Sequence, residues 1–241
     1  MTVPTTASVH LTHIYNLLVE TYGHPQWVAG NDPLGGLIGT ILSQHTSDKN
    51  SGRAYHQLTT SFPTWEEVRD APTPAVVEAI KSGGLANVKA PRIQDALHTL
   101  TEWQHADGTS GSLDSYLFEE LRKRTPQEAL HYLRSIPGVG PKTASCVLMF
   151  DMHMPTMPVD THVHRVSRRL GLIGPKVNAE QTHDFFAQVA PPEWTYVLHV
   201  HLIRHGRQIC HAQKPECDKC TLYSQCAFVG SVNPQQTELL D

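Results

Sequence analysis

"LRSIPGVGPKTASCVL", residues 133–148, is the stretch on which the fold of this chain turns. Ala129, Leu130, Leu133 and Ile136 recur at helical spacing, the pattern breaks into Pro137, Gly138, Val139 and Gly140, and it restarts at once with Lys142 in the first turn. The stretch reads as two helices joined by a tight hairpin. Glycine at 138 and 140 lets the backbone turn and lets a bulky partner approach N–H groups that point outward from the start of the next helix. A nest of amides at the positive end of a helix dipole suits a phosphate. Taken alone, Pro-Gly-x-Gly is also compatible with an ordinary helical hairpin.

Outward from the hairpin, start signals repeat. Asp32-Pro33 opens an apolar segment ending near Ser43, and Thr64 with Glu67 has capping-box spacing. Thr73-Pro74 reads as a cap followed by proline at the first helical position, and Thr125-Pro126-Gln127-Glu128 combines both signals. Few alternating β-branched runs are long enough for a sheet. The expected fold class is all-α. "HADGTSGS", residues 105–112, reads as a loop, and the residues after Cys226 as a loose polar tail. No internal repeat is visible.

With 241 residues, 39% hydrophobic and 17% charged, the chain can bury one large core or two modest ones. The first 20 residues lack the basic start and apolar run of a signal peptide, and no run of 18 apolar residues follows, so a cytoplasmic protein is expected. The net charge of −4 is unevenly spread. From Leu121 to Lys176 nine basic residues face three acidic ones, +6, which leaves −10 elsewhere. That asymmetry suits one face presented to a polyanion, and equally a solvated helix face.

Four of the five cysteines crowd together as Cys210-x6-Cys217-x2-Cys220-x5-Cys226. In a reducing compartment such a loop points to a metal before disulfides. Four thiolates suffice for a 4Fe–4S cluster; a four-cysteine zinc site more often uses two C-x-x-C knuckles, and only one is present. Cys146, on the helix after the hairpin, reads as a small core residue.

"IPGVGPKTASCVL", followed 18 residues after Lys142 by Asp160 within "PVDTHVHRVSRRLGL", resembles the helix-hairpin-helix DNA glycosylases and, among them, the endonuclease III family. "PLGGLIGTILSQHTSDKN", "GGLANVKAPRI" and "HGRQIC" follow the family's order, so the resemblance covers most of the chain. It implies a base-excision-repair glycosylase and abasic-site lyase acting on oxidised pyrimidines such as thymine glycol in damaged double-stranded DNA. It also implies a structural 4Fe–4S cluster on Cys210, Cys217, Cys220 and Cys226. Nothing in the sequence points to an oligomer, and a monomer is expected.

Cleaving a glycosidic bond builds oxocarbenium character at C1′ of the sugar, which calls for a nucleophile and a nearby anion. Lys142, in a first helical turn, meets a dipole end that favours its neutral amine; its attack leaves a Schiff base that makes β-elimination feasible. Asp160 stands before Thr161 at what reads as a helix start, so it is an N-cap candidate, and the resemblance makes it the catalytic partner of Lys142. The target nucleotide has to leave the duplex. The resemblance puts gap-filling residues in Ser43-Gln44-His45-Thr46 and in Gly84-Leu85-Ala86-Asn87, with Leu85 as an apolar wedge or, more plainly, a buried loop residue. DNA contacts are expected from Gly138, Val139, Gly140, Gln44, His45, Leu85, Thr161 and Lys214.

The sequence also departs from the family pattern. His45 stands where a glutamine is usual, Ala86 replaces a larger residue, Pro141 takes a commonly basic position, and "HAQKPE" has Gln213 and Glu216 where basic character is usual. Weaker DNA affinity and lower activity than in typical relatives follow as expectations. The segment between Lys89 and Ile136 is longer than in the shortest relatives, so "LDSYLFEELRKR", residues 113–124, reads as an added helix near the DNA. The expected layout is a helical domain of residues 27–154 carrying the hairpin at 133–148, a cluster domain of 1–26 plus 155–226, and a tail at 227–241, with the Lys142–Asp160 pair across the cleft. Two other functions stay open: a monofunctional adenine-mismatch glycosylase, disfavoured by Lys142 and by the absence of glutamate in "GGLIGTILSQ", and a cluster-bearing protein that binds damage or junctions without catalysis, or with lyase activity only.

Overall fold

Local capping and apolar spacing produce thirteen α-helices and no strand among the described residues of a computed structural model, 5–232. The chain divides into two units, one of Val28–Met154 and one of the residues up to Trp27 joined to those from Pro155 onward. Helix α1 (Thr5–Tyr22) begins in the latter unit. Helices α2 (Pro33–Ser43), α3 (Asp48–Ser61), α4 (Trp65–Asp70), α5 (Thr73–Ala79), α6 (Ala86–Ala106), α7 (Leu113–Arg122), α8 (Pro126–Arg134) and α9 (Pro141–Phe150) build the former. The chain then returns with α10 (Thr161–Arg169), α11 (Ala179–Val189), α12 (Thr195–Gln208) and α13 (Ala227–Val232).

The 28–154 unit is centred on α2. Leu34, Leu37, Ile38, Ile41 and Leu42 are buried on a helix only 11 residues long, which packs against α3, α6, α7 and α9. A helix apolar on so many sides has to be covered all round, and each fully buried Leu or Ile contributes about 1.5–3 kcal/mol. Ala144, Val147 and Leu148 of α9 join that core, so the helix that follows the hairpin is anchored by its apolar face. In the other unit α12 packs on α10 and α1, with Leu11, Ile14 and Leu18 of α1 buried at helical spacing. There Tyr15 stacks on Trp194 with ring centres 4.2 Å apart, and Trp27 on Tyr196 at 5.3 Å.

The start signals act largely as read. Asp32 accepts from the N–H of Gly35 at 2.9 Å with Pro33 in the first position, and Thr125 and Glu128 form a reciprocal capping box. Thr64 accepts from the N–H of Glu67 at 3.2 Å. Thr73 does not cap. Pro72 precedes α5, Thr73 is its first residue, and the Thr73 hydroxyl donates instead to Gln94 Oε1 on α6 at 2.7 Å. Two other boundaries shift: α6 extends through His105 and Ala106, and Ala227–Val232, expected in the tail, is helical. The rest of the expected tail, 233–241, lies outside the described residues. Residues 113–122 form the expected helix, and Cys146 is half-buried rather than deep in the core.

Candidate active site

The hairpin between α8 and α9 is built by one glycine rather than two. Gly138 has φ +79°, a left-handed conformation that strains any residue with a Cβ. Gly140 has φ −88° and ψ 175°, open to any residue; a Cβ built on it has no heavy atom within 4 Å, so its smallness leaves space rather than shape. Val139, read as a DNA contact of the hairpin, turns its side chain inward. Its N–H donates to the Ile136 carbonyl at 3.1 Å and it is 5% exposed, so its side chain ties the hairpin to the core. Pro141 and Lys142 are the first two residues of α9, and the Lys142 side chain is half-buried.

Asp160 is the N-cap of α10, its Oδ1 accepting from the N–H of Val163 at 2.8 Å. The bond fixes the carboxylate at the positive end of that helix. Thr161 is exposed as the first residue of α10.

In the 28–154 unit Gln44 is the C-cap of α2 and His45 follows with φ +54°, exposed. Leu85 is the N-cap of α6 with φ +51° and is 54% exposed, which removes the buried-loop alternative. Arg92 of α6 donates to Gln44 Oε1 at 3.3 Å, and a Cβ on Gly138 would meet the Arg92 stem at 3.8 Å, so the Gln44 turn and the hairpin are neighbours. Sequence reasoning missed Asp151, at the end of α9. Burial and then the charge of Asp32 push its carboxyl up to about 7, beside a cavity of about 420 Å³ also lined by Asp48 and Tyr55.

The basic excess from 121 to 176 is smaller in space than in sequence. Arg122 pairs with Glu119, and Lys123 and Arg124 with Glu120, acids that lie just outside the stretch counted. Arg165 donates to the Cys210 and Gly206 carbonyls, and Arg169 to Cys210 Sγ at 3.2 Å and the His211 and Ala212 carbonyls. These arginines brace the cysteine loop. Within that loop Glu216 pairs with both His211 and Lys219, and Lys214 stands exposed at φ +50°.

Burial and then the charges of Cys226, Cys210 and Cys217 push the Cys220 thiol up to about 11, and burial with Cys226 and Cys210 raises Cys217. Burial and neighbouring sulfurs disfavour the thiolates of Cys217 and Cys220, a cost that a cationic iron–sulfur centre would relieve, and the two nitrogen contacts, Arg169 to Cys210 and His205 Nε2 to Cys220 at 3.4 Å, fit such a centre. Among the described residues no group of three or more His, Cys, Asp or Glu side chains is gathered as a metal site.

An all-helical fold with a glycine hairpin before a lysine-bearing helix defines the class of helix-hairpin-helix proteins. Residues 38–192 match the model of the "HhH-GPD superfamily base excision DNA repair protein". Endonuclease III of Thermotoga maritima is 32% identical over 197 residues, 82% of this chain and 84% of its own. Endonuclease III of Escherichia coli is 30% identical over 91% of this chain and 96% of its own. A relative from Arabidopsis thaliana is 35% identical over 202 residues, and the chain spans 65% of its length. Among solved structures, a non-covalent endonuclease III–DNA complex matches with TM-score 0.75 and 25% identity, over 95% of this chain and 99% of that one. The chain therefore belongs to the HhH-GPD superfamily of base excision DNA repair proteins, as a DNA glycosylase of the endonuclease III group.

Proposed function

We propose that this chain removes oxidised pyrimidines, with thymine glycol as the representative lesion, from damaged duplex DNA and then nicks the strand at the same site. The observation that carries the reading is Lys142, second residue of the helix behind the Gly138 hairpin and, like Asp160, inside the span matched by the family model. Lys142 Nζ attacks C1′, the C1′–N bond breaks, and the base leaves with the bonding electrons and a proton. The C1′–O4′ bond then breaks, O4′ keeps the bonding electrons and takes up the amine's proton, and the opened sugar is left as a Schiff base. Loss of a C2′ proton then expels the 3′ phosphate by β-elimination.

Asp160 stabilises the positive charge that develops at C1′ and assists the proton transfers; its bond to Val163 holds the carboxylate in one orientation while it does so. The backbone at Gly138 and Gly140, with the positive end of α9, takes a strand phosphate. Thr161 and Lys214 add backbone contacts. Gln44, His45 and Leu85 occupy the space left by the flipped nucleotide, Leu85 as the wedge. Cys210, Cys217, Cys220 and Cys226 would hold a 4Fe–4S cluster, whose role is to stiffen the loop carrying Lys214. The protein acts as a monomer where the DNA is, in the cytoplasm; no helix of the described residues is long and apolar enough to cross a membrane.

Borohydride trapping on a thymine glycol duplex, with an abasic-site duplex alongside, tests this directly. A covalent adduct on both, lost in Lys142→Ala, is the expected result. An adduct on the abasic duplex alone would keep the lyase step and move the lesion preference elsewhere. Damage-dependent binding with no adduct on either would remove the lysine mechanism.

A further inference from the structure

We propose that Lys89, a buried lysine on the first turns of α6, is a positioning residue that locks the Gln44–His45 turn and the Leu85 loop into one preformed wedge. The proposal rests on the reading of those two loops as the ones that enter the gap in the DNA.

Lys89 is 1% exposed, and its ammonium donates to the Leu42 carbonyl at 2.7 Å and the Gly83 carbonyl at 2.9 Å. Leu42 lies in the last turn of α2, where carbonyls lack helical partners and a cation is favoured by the dipole. Two residues later come Gln44 and His45. Gly83 closes a 3-10 turn of residues 81–83, and two residues later comes Leu85. One charged group therefore grips the backbone just before each loop.

The two loops share a second property. His45 and Leu85 are non-glycine residues held at φ +54° and +51°, a conformation unfavourable for side chains with a Cβ. Both side chains are exposed, so no core packing of their own holds them there. Burying an ammonium against two neutral carbonyls is unfavourable unless the bonds are kept, and burial holds Lys89 below the ordinary lysine range. The arrangement therefore resists loosening. Three residues along the same face of α6, Arg92 reaches the Gln44 side chain and lies against Gly138, which ties the pair of loops to the hairpin as well. Gly83 is buried, and a Cβ on it would meet the Ala54 Cβ at 3.0 Å, so glycine lets the turn approach α3 and present its carbonyl to Lys89.

A wedge of this kind matters when a base has to be unstacked and matters less at a site that has already lost its base. The test compares excision of thymine glycol with lyase turnover at a preformed abasic site in wild type, Lys89→Met, Leu85→Ala and the double variant. Excision by Lys89→Met should fall on the order of ten- to a hundredfold in kcat with lyase turnover largely kept, and it should add little once Leu85 is gone. Equal losses on both substrates, or a full extra loss in the Leu85→Ala background, would mean that Lys89 only supports the fold, and the proposal falls. If Leu85→Ala alone leaves excision untouched, the wedge assignment fails and the Lys89 proposal with it. Should Lys89→Met not fold, Lys89→Arg, which keeps the cation and changes its reach, goes through the same comparison: a loss confined to excision supports the proposal, and equal losses on both substrates overturn it.

Discussion

Asp160 holds both a helix start and, in the proposed mechanism, a reacting sugar, and substitution can separate the two. Asparagine keeps an oxygen for the Val163 N–H, so Asp160→Asn should leave thermal stability within about 0.5 kcal/mol. Excision should nevertheless drop on the order of a hundredfold or more. Alanine removes the cap as well and should cost about 1 kcal/mol in a denaturant titration. The two hairpin glycines divide differently. Gly138→Ala forces a Cβ into φ +79° and should destabilise the fold by about 1 kcal/mol or more, whereas Gly140→Ala meets open space and should keep the melting temperature while weakening DNA binding about tenfold. Asp151 gives a pH signature. Its folded pKa of about 7 lies above the unfolded value of about 3.9, so the native state binds the extra proton and stability falls as pH rises from about 4 to 7, then levels. Asp151→Asn should remove that slope, raising stability at pH 8 by about 1 kcal/mol after allowance for solvent screening, and changing little at pH 3. Equal gains at both pH values would show that the carboxyl charge is not the cause.

At the scale of elements, the starts of α2, α4 and α8 were legible because a cap is a bond across three residues, and all its partners stand side by side in the sequence. The start of α5 was not, because the helix begins one residue earlier than the cap reading put it, with Pro72 before it and Thr73 inside its first turn, where the Thr73 hydroxyl donates to Gln94, 21 residues away. Thr125→Ala should cost about 1 kcal/mol, since it removes the hydroxyl that accepts from the Glu128 N–H and leaves only the backbone half of the capping box at the helix that leads into the hairpin. Buried Lys89 could have been suspected from spacing alone. It stands four residues before Ile93 and eight before Leu97, on the face of α6 that faces the core, and a lysine at such a position needs a buried partner.

At the scale of the whole molecule, charge decides how tightly DNA is held. Arg122, Lys123 and Arg124 are paired with acids on α7, and Arg165 and Arg169 are spent on carbonyls and a sulfur of the cysteine loop. Few of the nine basic residues remain to displace counterions. A salt titration of duplex binding should accordingly give a shallow slope, fewer than about six counterions released, and a steeper one would show that the pairs open on DNA. The helical class, the hairpin, the positions of Lys142 and Asp160 and the four-cysteine loop could all be read from the sequence, because each rests on periodicity or on spacing within a short stretch. Only the tertiary structure decided that Val139 faces the core, that the arginines brace a loop instead of waiting for phosphate, and that one lysine grips two loops whose gripped carbonyls lie 41 residues apart in the chain. Those facts depend on which distant carbonyl or carboxylate comes within hydrogen-bonding reach, and close packing settles that only once the helices have met.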